Sequence, residues 1–195
     1  MTRLEQQMKF ILEVDKLKSI VRQNYLADGS RREGDADHSW HMALMCVLLK
    51  EYAKEEIDVL KTVTMLLIHD IVEIDAGDTY AYDLKANVSK NERELAAADR
   101  IFKLLPEDQA GELRSLWDEF EEGSTPEARF AATLDRLQPF LLNAASEGKS
   151  WREHGVSFSQ VMKRNEVTPL GSESLWEYQY QQMKQQVEKG NLRDE

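Results

Sequence analysis

The stretch 65-MLLIHDIVEIDAGD-78 leads an apolar run directly into a cluster of polar side chains. The run ends in a histidine, and four carboxylates follow within the next nine residues: His69, Asp70, Glu73, Asp75 and Asp78. One interpretation is an ordinary helix end that leads into an acidic surface loop. The other is a metal site with an acid–base group beside it, because imidazoles and carboxylates are common ligands of divalent ions.

Apolar residues elsewhere in the chain recur mainly with the 3.6-residue period of an amphipathic helix. Segments with this period lie at about residues 4–25, 38–48, 57–70, 89–105, 107–121, 126–147, 157–165 and 172–189. Polar loops are predicted at 27–37 and 74–89, and prolines 106, 126 and 169 stand where helices are expected to begin. The sequence therefore predicts an all-α fold, a helical bundle of about seven to nine helices in a single domain over residues 1–195.

The net charge of −11 argues against a polymeric nucleic acid as partner, because phosphate backbones bind basic surfaces. It does not exclude a small phosphorylated substrate whose charge a bound metal offsets. No apolar run approaches the roughly 20 residues needed to cross a bilayer, and the N-terminus lacks the apolar segment of a signal peptide. Cys46 is the single cysteine, so no internal disulfide can form. We expect a cytoplasmic protein with no membrane partner.

Four residues on three predicted helices have the chemistry of a metal site. His38 opens the second helix within 37-DHSWHMA-43, and His69-Asp70 close the third. Asp135 stands among apolar residues in 131-AATLDRLQPFLLN-143, where a buried carboxylate is costly unless it is paired or bound to a metal. Together they offer two imidazole nitrogens and two carboxylates, which suits Mn, Fe, Co, Ni or Zn.

Each of these residues also has an ordinary structural interpretation. Asp135 can serve as the ion-pair partner of Arg129, Arg136 or Arg100. His41, one turn after His38, can be a packing residue. The remaining candidates without a required chemical role are His154, expected in a loop or cap, and Cys46, expected in the core.

The order His … His-Asp … Asp on separate helices resembles the HD-domain metal-dependent phosphohydrolases. Within that family, 69-HDIVEIDAGD-78 looks like the HDxxExxxGD pattern of the bacterial 5′-deoxynucleotidases and their eukaryotic HD-domain relatives. Other stretches that are similar to this subgroup are 16-KLKSIVRQ-23, 37-DHSWHMA-43, 134-LDRLQPFLLN-143 and 148-GKSWREHGV-156. The resemblance covers most of the chain.

The resemblance implies a role for each matched position. The metal ligands would be His38, His69, Asp70 and Asp135. Glu73 and Asp78 would be the catalytic acidic pair, and Arg22 would lie near the phosphate and sugar of the substrate. Gln23 departs from the pattern, because the bacterial nucleotidases have tryptophan there. No histidine lies between Asp70 and Asp135, which favours one divalent transition metal ion over the two-metal branches of the family.

The favoured function is a 5′-deoxynucleotidase that releases phosphate from deoxyribonucleoside 5′-monophosphates with a metal-activated water. Two alternatives stay open: an HD phosphohydrolase acting on another nucleotide or small phosphomonoester, and a non-catalytic, metal-stabilised interaction protein. The resemblance also implies a homodimer. The C-terminal helix either contributes to that interface or closes the core of its own chain with Leu175, Trp176, Tyr178, Tyr180 and Met183.

Overall fold

Helices account for most of the fold in a computed structural model, which describes residues 1–82 and 86–194. Within these ranges, nine α-helices have six residues or more and two have four. Their bounds are α1 Arg3–Val14, α2 Asp35–Leu49, α3 Val59–Ile68, α4 Glu73–Ala76, α5 Lys90–Ile101, α6 Glu107–Glu122, α7 Pro126–Ala145, α8 Lys149–His154, α9 Phe158–Arg164, α10 Thr168–Gly171 and α11 Glu173–Glu188. The prediction of an all-α helical bundle is confirmed. No helix in the described ranges is both long enough and apolar enough to cross a membrane.

The predicted helix starts at proline are confirmed. Pro106 is the N-cap of α6, Pro126 is the first residue of α7, and Pro169 lies in the first turn of α10. A proline fits there because its missing N–H has no partner in the first turn of a helix. The Thr125 hydroxyl accepts a hydrogen bond from the amide of Ala128, which satisfies one of the free N–H groups at the start of α7.

The prediction that the first helix runs to residue 25 is wrong. Helix α1 ends at Val14, a 3-10 turn covers Asp15–Ser19, and strand β1, Val21–Tyr25, follows. It pairs antiparallel with β2, Arg32–Gly34. The sequence 21-VRQNY-25 has little of the β-branched alternation that announces a strand, so its state depends on the partner strand across the turn.

The predicted loop over 74–89 is only partly irregular. Helix α4 covers its first residues, a 3-10 turn covers Ala86–Ser89, and residues 83–85 lie outside the described ranges. Gly77 ends α4 with a φ of 74°, a left-handed conformation that glycine adopts without strain. The chain can therefore turn sharply one residue before Asp78.

Two buried apolar clusters meet at the end of α3. The larger is built around α7 and contains Leu66 and Leu134, and the smaller contains Ile68, Ile101 and Trp117. Because Leu66 and Ile68 belong to different clusters, the end of α3 packs on two sides, and this packing fixes the position of the backbone at His69. Truncating a leucine buried like Leu66 to alanine typically costs about 2–5 kcal/mol, so this helix end is rigidly anchored.

Helix α11 packs mainly against its own chain. Leu175 and Met183 lie in the larger cluster, whereas Tyr178 is half exposed. Two roles were predicted for this helix, and Leu175 and Met183 have the second: they help to close the core of their own chain. Exposed apolar residues recur at helical spacing on two other helices. These residues are Leu4, Met8, Ile11 and Leu12 on α1, and Trp40, Leu44, Val47 and Leu48 on α2.

Candidate metal centre

The two central histidines come from different helices and meet in the core. His38 is the fourth residue of α2 and is 0% exposed, and His69 begins the 3-10 turn after α3 and is 4% exposed. Their ring centroids lie 5.6 Å apart. Phe120 packs against the His69 ring at 5.1 Å, and the Trp117 indole N–H donates to the His69 carbonyl oxygen at 3.0 Å. Aromatic packing from α6 thus fixes the position of His69.

Hydrogen bonds orient both rings so that Nε2 faces the same space. His38 Nδ1 donates to Gln138 Oε1 at 2.8 Å, and the Gln138 amide is oriented by donating from Nε2 to Glu33 at 2.5 Å. His69 Nδ1 donates to the Leu66 carbonyl oxygen at 2.9 Å. Since Nδ1 donates in each ring, Nε2 is the nitrogen that faces the site and that offers a lone pair to a metal ion when the ring is neutral. His38 Nε2 also lies within hydrogen-bond distance of Asp135 Oδ1, at 3.0 Å. The buried Nε2 of His69 makes no hydrogen bond of ordinary geometry.

Two carboxylates converge on these nitrogens. Asp135 Oδ1 lies 3.0 Å from His38 Nε2 and 3.8 Å from His69 Nε2. Asp70 Oδ2 lies 3.1 Å from His69 Nε2 and 3.9 Å from His38 Nε2. All four residues predicted as ligands therefore lie together, although they come from three distant parts of the chain. We call them the His/Asp group.

Both carboxylates in this group are held in the ionised state. Burial by itself would raise the pKa of Asp70, but the nearby charges of His69 and Arg22 outweigh it and hold that pKa well below its usual value. Burial is likewise outweighed at Asp135, where Arg136 and His38 hold the pKa low. Two imidazole lone pairs and two ionised carboxylates form a donor set that fits a borderline divalent ion.

A second acidic group lies beside the first. Asp35, Glu73 and Asp78 each offer a carboxylate oxygen, and these atoms lie within 4.8 Å of one another. Burial, the charge of Asp70 and a hydrogen bond with Asp35 raise the pKa of Glu73 to about 12. Burial raises the pKa of Asp78 to about 6, and burial also raises that of Asp35. Glu73 therefore retains its proton at neutral pH, whereas Asp78 is mostly ionised there. The three carboxyl groups also offer oxygens that could hold a cation.

Asp35 is the member of this second group that the sequence analysis missed. It is the first residue of α2 and is 0% exposed. The signal was present in 33-EGDAD-37, where three acids crowd a helix start beside a glycine. Such a pattern usually means only a favourable interaction with the helix dipole, so the sequence alone does not distinguish this position.

Arg22 lies between the two groups. Its Nη1 donates to Asp70 at 2.7 Å and to Asp35 at 3.1 Å, and its Nε lies 3.9 Å from Glu33. The side chain is only 12% exposed, and its charge is already opposed by these carboxylates. Arg22, which the sequence predicts to contact the phosphate, is therefore a counter-ion of both carboxylate groups. It also lines two cavities.

Two adjoining cavities open from the site. The metal-side cavity has a volume of about 340 Å³ and is lined by Asp70, Glu73, Asp78 and Asp135 among others. A second cavity of about 90 Å³ is lined by Gln23, Asn143 and Trp151 among others. The residues lining both are Arg22, Asp78, Thr79, Asp135, Arg136 and Arg164. The cavities therefore adjoin at a wall that contains three arginines.

The alternative roles considered for single residues have mixed outcomes. Asp135 does pair with Arg136, as one interpretation held, while also contacting His38. Arg100 and Arg129 pair with other acids. His41 is a neighbour of the site through Gln138 Nε2 at 3.1 Å. Besides Asp35, the sequence analysis did not single out Gln138, Trp117, Glu33 and Arg164, because nothing local marks their role.

Comparison with known proteins gives consistent matches. The HD domain family model matches residues 14–176. The 5′-deoxynucleotidase HDDC2 of Homo sapiens is 33% identical over 135 residues, which cover 69% of this chain and 65% of that protein. The protein of the same name from Bos taurus is 32% identical over 135 residues, covering 69% of this chain and 64% of its own length. The chain thus spans a little under two thirds of these two relatives.

Solved structures extend the similarity to nearly the whole chain. The crystal structure of a predicted metal-dependent phosphohydrolase from Magnetospirillum magnetotacticum MS-1 superposes with a TM-score of 0.94 at 50% identity, covering 97% of this chain and 95% of that one. A conserved hypothetical protein from Pyrococcus furiosus superposes with a TM-score of 0.62 at 24% identity, covering 91% of this chain and 99% of that one. The second match concerns the fold alone.

Proposed function

The chain belongs to the HD domain family, and from this premise we propose that it is a metal-dependent 5′-deoxynucleotidase. The reaction would release phosphate from deoxyribonucleoside 5′-monophosphates. The observation that carries the proposal is the adjacency of two groups: ionised ligands of the His/Asp group and a proton-bearing carboxyl, Glu73, on the wall of one cavity. The activity named for the human and bovine relatives supports the choice of substrate.

We propose one divalent transition metal ion, Mn, Co, Fe, Ni or Zn, bound by His38, His69, Asp70 and Asp135. The two Nε2 atoms that face the same carboxylates and the low carboxylate pKa values support this ligand set. A bound divalent ion supplies a water of lowered pKa and takes charge from the phosphoryl oxygens. Asp35, Glu73 and Asp78 could hold a second cation through one oxygen each. Elemental analysis would distinguish one ion per chain from two.

The proton chemistry would then belong to the protein. Glu73 lies one turn beyond Asp70, and its carboxyl, which is protonated at neutral pH, would be the proton donor beside the reacting phosphoryl group. Asp78, with a pKa of about 6, suits the complementary role near neutral pH. Arg22 keeps Asp35 and Asp70 in place and remains within reach of a substrate in either cavity.

The test is a phosphate-release screen over deoxy- and ribonucleoside 5′-monophosphates, each with Mn, Co, Mg and Zn. We expect deoxyribonucleotides to turn over faster than ribonucleotides with at least one of these ions. Preferred turnover of a nucleoside triphosphate or of a simple phosphomonoester would move the protein to another branch of the family. No phosphate release from any substrate by metal-loaded protein would favour the non-catalytic alternative.

We also propose that the protein forms a homodimer through the exposed apolar face of α2. Apolar residues at helical spacing on a surface commonly mark an interface. Light scattering at micromolar concentration is expected to give twice the chain mass, and Leu44→Lys is expected to halve it. Tyr178→Lys, on the exposed side of α11, is the matched control and should leave the mass unchanged. A wild-type monomer would contradict the proposal.

Two further expectations remain proposals. We propose that residues 1–195 form one domain, which the burial of Leu175 and Met183 from α11 in the larger core cluster supports. The cytoplasmic location remains a prediction, which fractionation of cells producing the tagged protein would check.

A further inference from the structure

Five cationic side chains line the metal-side cavity, and four of them pair with a carboxylate in the described part of the chain. These pairs are Arg22 with Asp70, Lys90 with Glu94, Arg129 with Glu55 and Arg136 with Asp135. The fifth cation is Arg164. Among residues 1–82 and 86–194, it has no carboxylate within ion-pair distance.

The surroundings of Arg164 make an unpaired guanidinium costly. Burial, together with the charge of Arg136, lowers the pKa of Arg164 to about 10. Two neighbouring arginines would repel each other in a partly desolvated wall, and among the described carboxylates it is the charge of Asp135 that offsets them. The described carboxylates leave the charge of Arg164 only partly offset, and a buried charge is costly unless it is paired, which favours an anion bound from the cavity.

The backbone around Arg164 is held firmly. Arg164 is the last residue of α9, and the next residue, Asn165, is 3% exposed. Asn165 donates from Nδ2 to the Val161 carbonyl oxygen at 2.7 Å and accepts from Gln179 Nε2 at 2.8 Å. These bonds tie the end of α9 to α11, so the guanidinium projects from a fixed point into the shared wall of the two cavities.

We propose that Arg164, with Arg136 beside it, binds the phosphate group of the substrate on the wall of the metal-side cavity. The inference rests on the proposed function and deepens it, because it assigns the phosphate contact to residues other than Arg22. Arg22 directs its Nη1 to Asp35 and Asp70, whereas Arg164 has its donors available. A guanidinium can hold a phosphate through two parallel hydrogen bonds, a geometry that a lysine does not reproduce.

The experiment measures binding of inorganic phosphate to manganese-loaded protein by calorimetry, without turnover. Arg164→Gln is expected to weaken phosphate binding by roughly tenfold or more, the usual effect of losing a charge-assisted hydrogen bond. Lys163→Gln removes the same charge from the exposed neighbouring position on α9 and should leave binding within about twofold of wild type. Manganese content is measured in each variant and should stay constant.

Arg164→Lys is the second variant, and it keeps both charge and approximate length if Arg164→Gln fails to fold. Its phosphate affinity is expected between those of wild type and Arg164→Gln, because the forked contact is lost and the charge is kept. Wild-type affinity in both Arg164 variants would overturn the proposal, as would an equal loss in Lys163→Gln. Phosphate binding that depends on Arg164 in a protein that hydrolyses no nucleotide would overturn the proposed function alone. Deoxynucleotide turnover with unchanged KM in Arg164→Gln would overturn this inference alone.

Discussion

The His/Asp group and the neighbouring group of Asp35, Glu73 and Asp78 both contribute residues to one cavity wall, but the pKa values of their carboxyl groups are shifted in opposite directions. Asp70 and Asp135 have pKa values below their usual range, because imidazoles and guanidinium groups surround them. Glu73 and Asp78 have raised pKa values, because they are buried beside other carboxylates. Carboxyl groups thus differ in pKa according to their neighbours, which suits the proposed ligand role on one side and the proposed proton-carrier role on the other.

Arg22 is the boundary between the two groups, since it contacts Asp70 on one side and Asp35 on the other. Its charge is closer to Asp70, which the His69 ring also stabilises. Glu73 receives less of this compensation and faces the negative charge of Asp70 instead. The placement of a few cations therefore separates five carboxyl groups into two with lowered pKa values and three with raised ones. Substitutions in either group test this difference.

The largest effect is expected from removing a ligand of the His/Asp group. Asp135→Ala should reduce metal affinity by more than about 100-fold and abolish turnover, because even indirect partners of ligands typically contribute 10–100-fold. The variant should also lose about 1–3 kcal/mol of unfolding free energy, since His38 Nε2 and Arg136 lose a buried partner. Elemental analysis and denaturant unfolding measure both. Asp118→Ala, an exposed acid on α6, is the control, and full metal content in Asp135→Ala would contradict the ligand assignment.

The next largest effect is expected from Glu73, the proposed proton carrier. Glu73→Ala should lower kcat and kcat/KM together by on the order of 100-fold or more while metal content stays unchanged, because a general acid–base group acts in the transition state. Glu73→Gln keeps the size and hydrogen-bonding capacity without a transferable proton, and it should be nearly as inactive.

Two outcomes would contradict this separation of roles. Wild-type turnover in Glu73→Gln would reduce Glu73 to a hydrogen-bonding residue. Loss of metal from Glu73→Ala would instead place Glu73 among the ligands and remove the contrast between the two groups.

A smaller effect is expected from Gln138, which orients His38 without belonging to the His/Asp group. Gln138→Leu removes the acceptor for His38 Nδ1, so the ring loses the bond that directs Nε2 toward Asp135. Metal affinity should fall by roughly 10- to 100-fold. Competition with a chromogenic chelator measures it, and Gln181→Leu, on the exposed side of α11, serves as the control. Unchanged affinity would mean that packing alone orients His38.

The smallest effect is a pH dependence of stability on the carboxyl side. The pKa of Asp78 is raised to about 6 in the folded protein, so the folded state binds its proton more tightly than the unfolded state. Stability must then fall as pH rises from about 4 to 6 and stay reduced above that, by about 1–2 kcal/mol for a partly exposed group. Asp78→Asn should therefore raise the Tm of metal-free protein at pH 7 and leave it unchanged near pH 3.5. A lower Tm at pH 7 would show that the ionised carboxylate is stabilised instead.

The sequence by itself determined the helical class, the start of the helices at proline, and the identity of the residues that meet at the His/Asp group. The first two features are local, whereas the four residues of the His/Asp group were identified from their residue types and from the resemblance to the HD-domain family. The 3.6-residue period, the cap of a first turn and the sequence 69-HDIVE-73 can all be read from neighbours along the chain. An apolar run that ends in His69 and Asp70 also predicts a buried, rigid helix end, and the two core clusters on either side of α3 supply it.

The tertiary structure alone decided which strand pairs with residues 21–25, which acid joins Glu73 and Asp78, and which arginines are already paired. These outcomes depend on contacts between residues far apart in the chain. Arg22 meets Asp70 across 48 positions, and His38 meets Gln138 across 100. The pKa of a carboxyl group follows from the charges and burial that such contacts create, and no local pattern carries that information. Acids with raised pKa values and acids with lowered pKa values therefore look alike in the sequence and differ only in the fold.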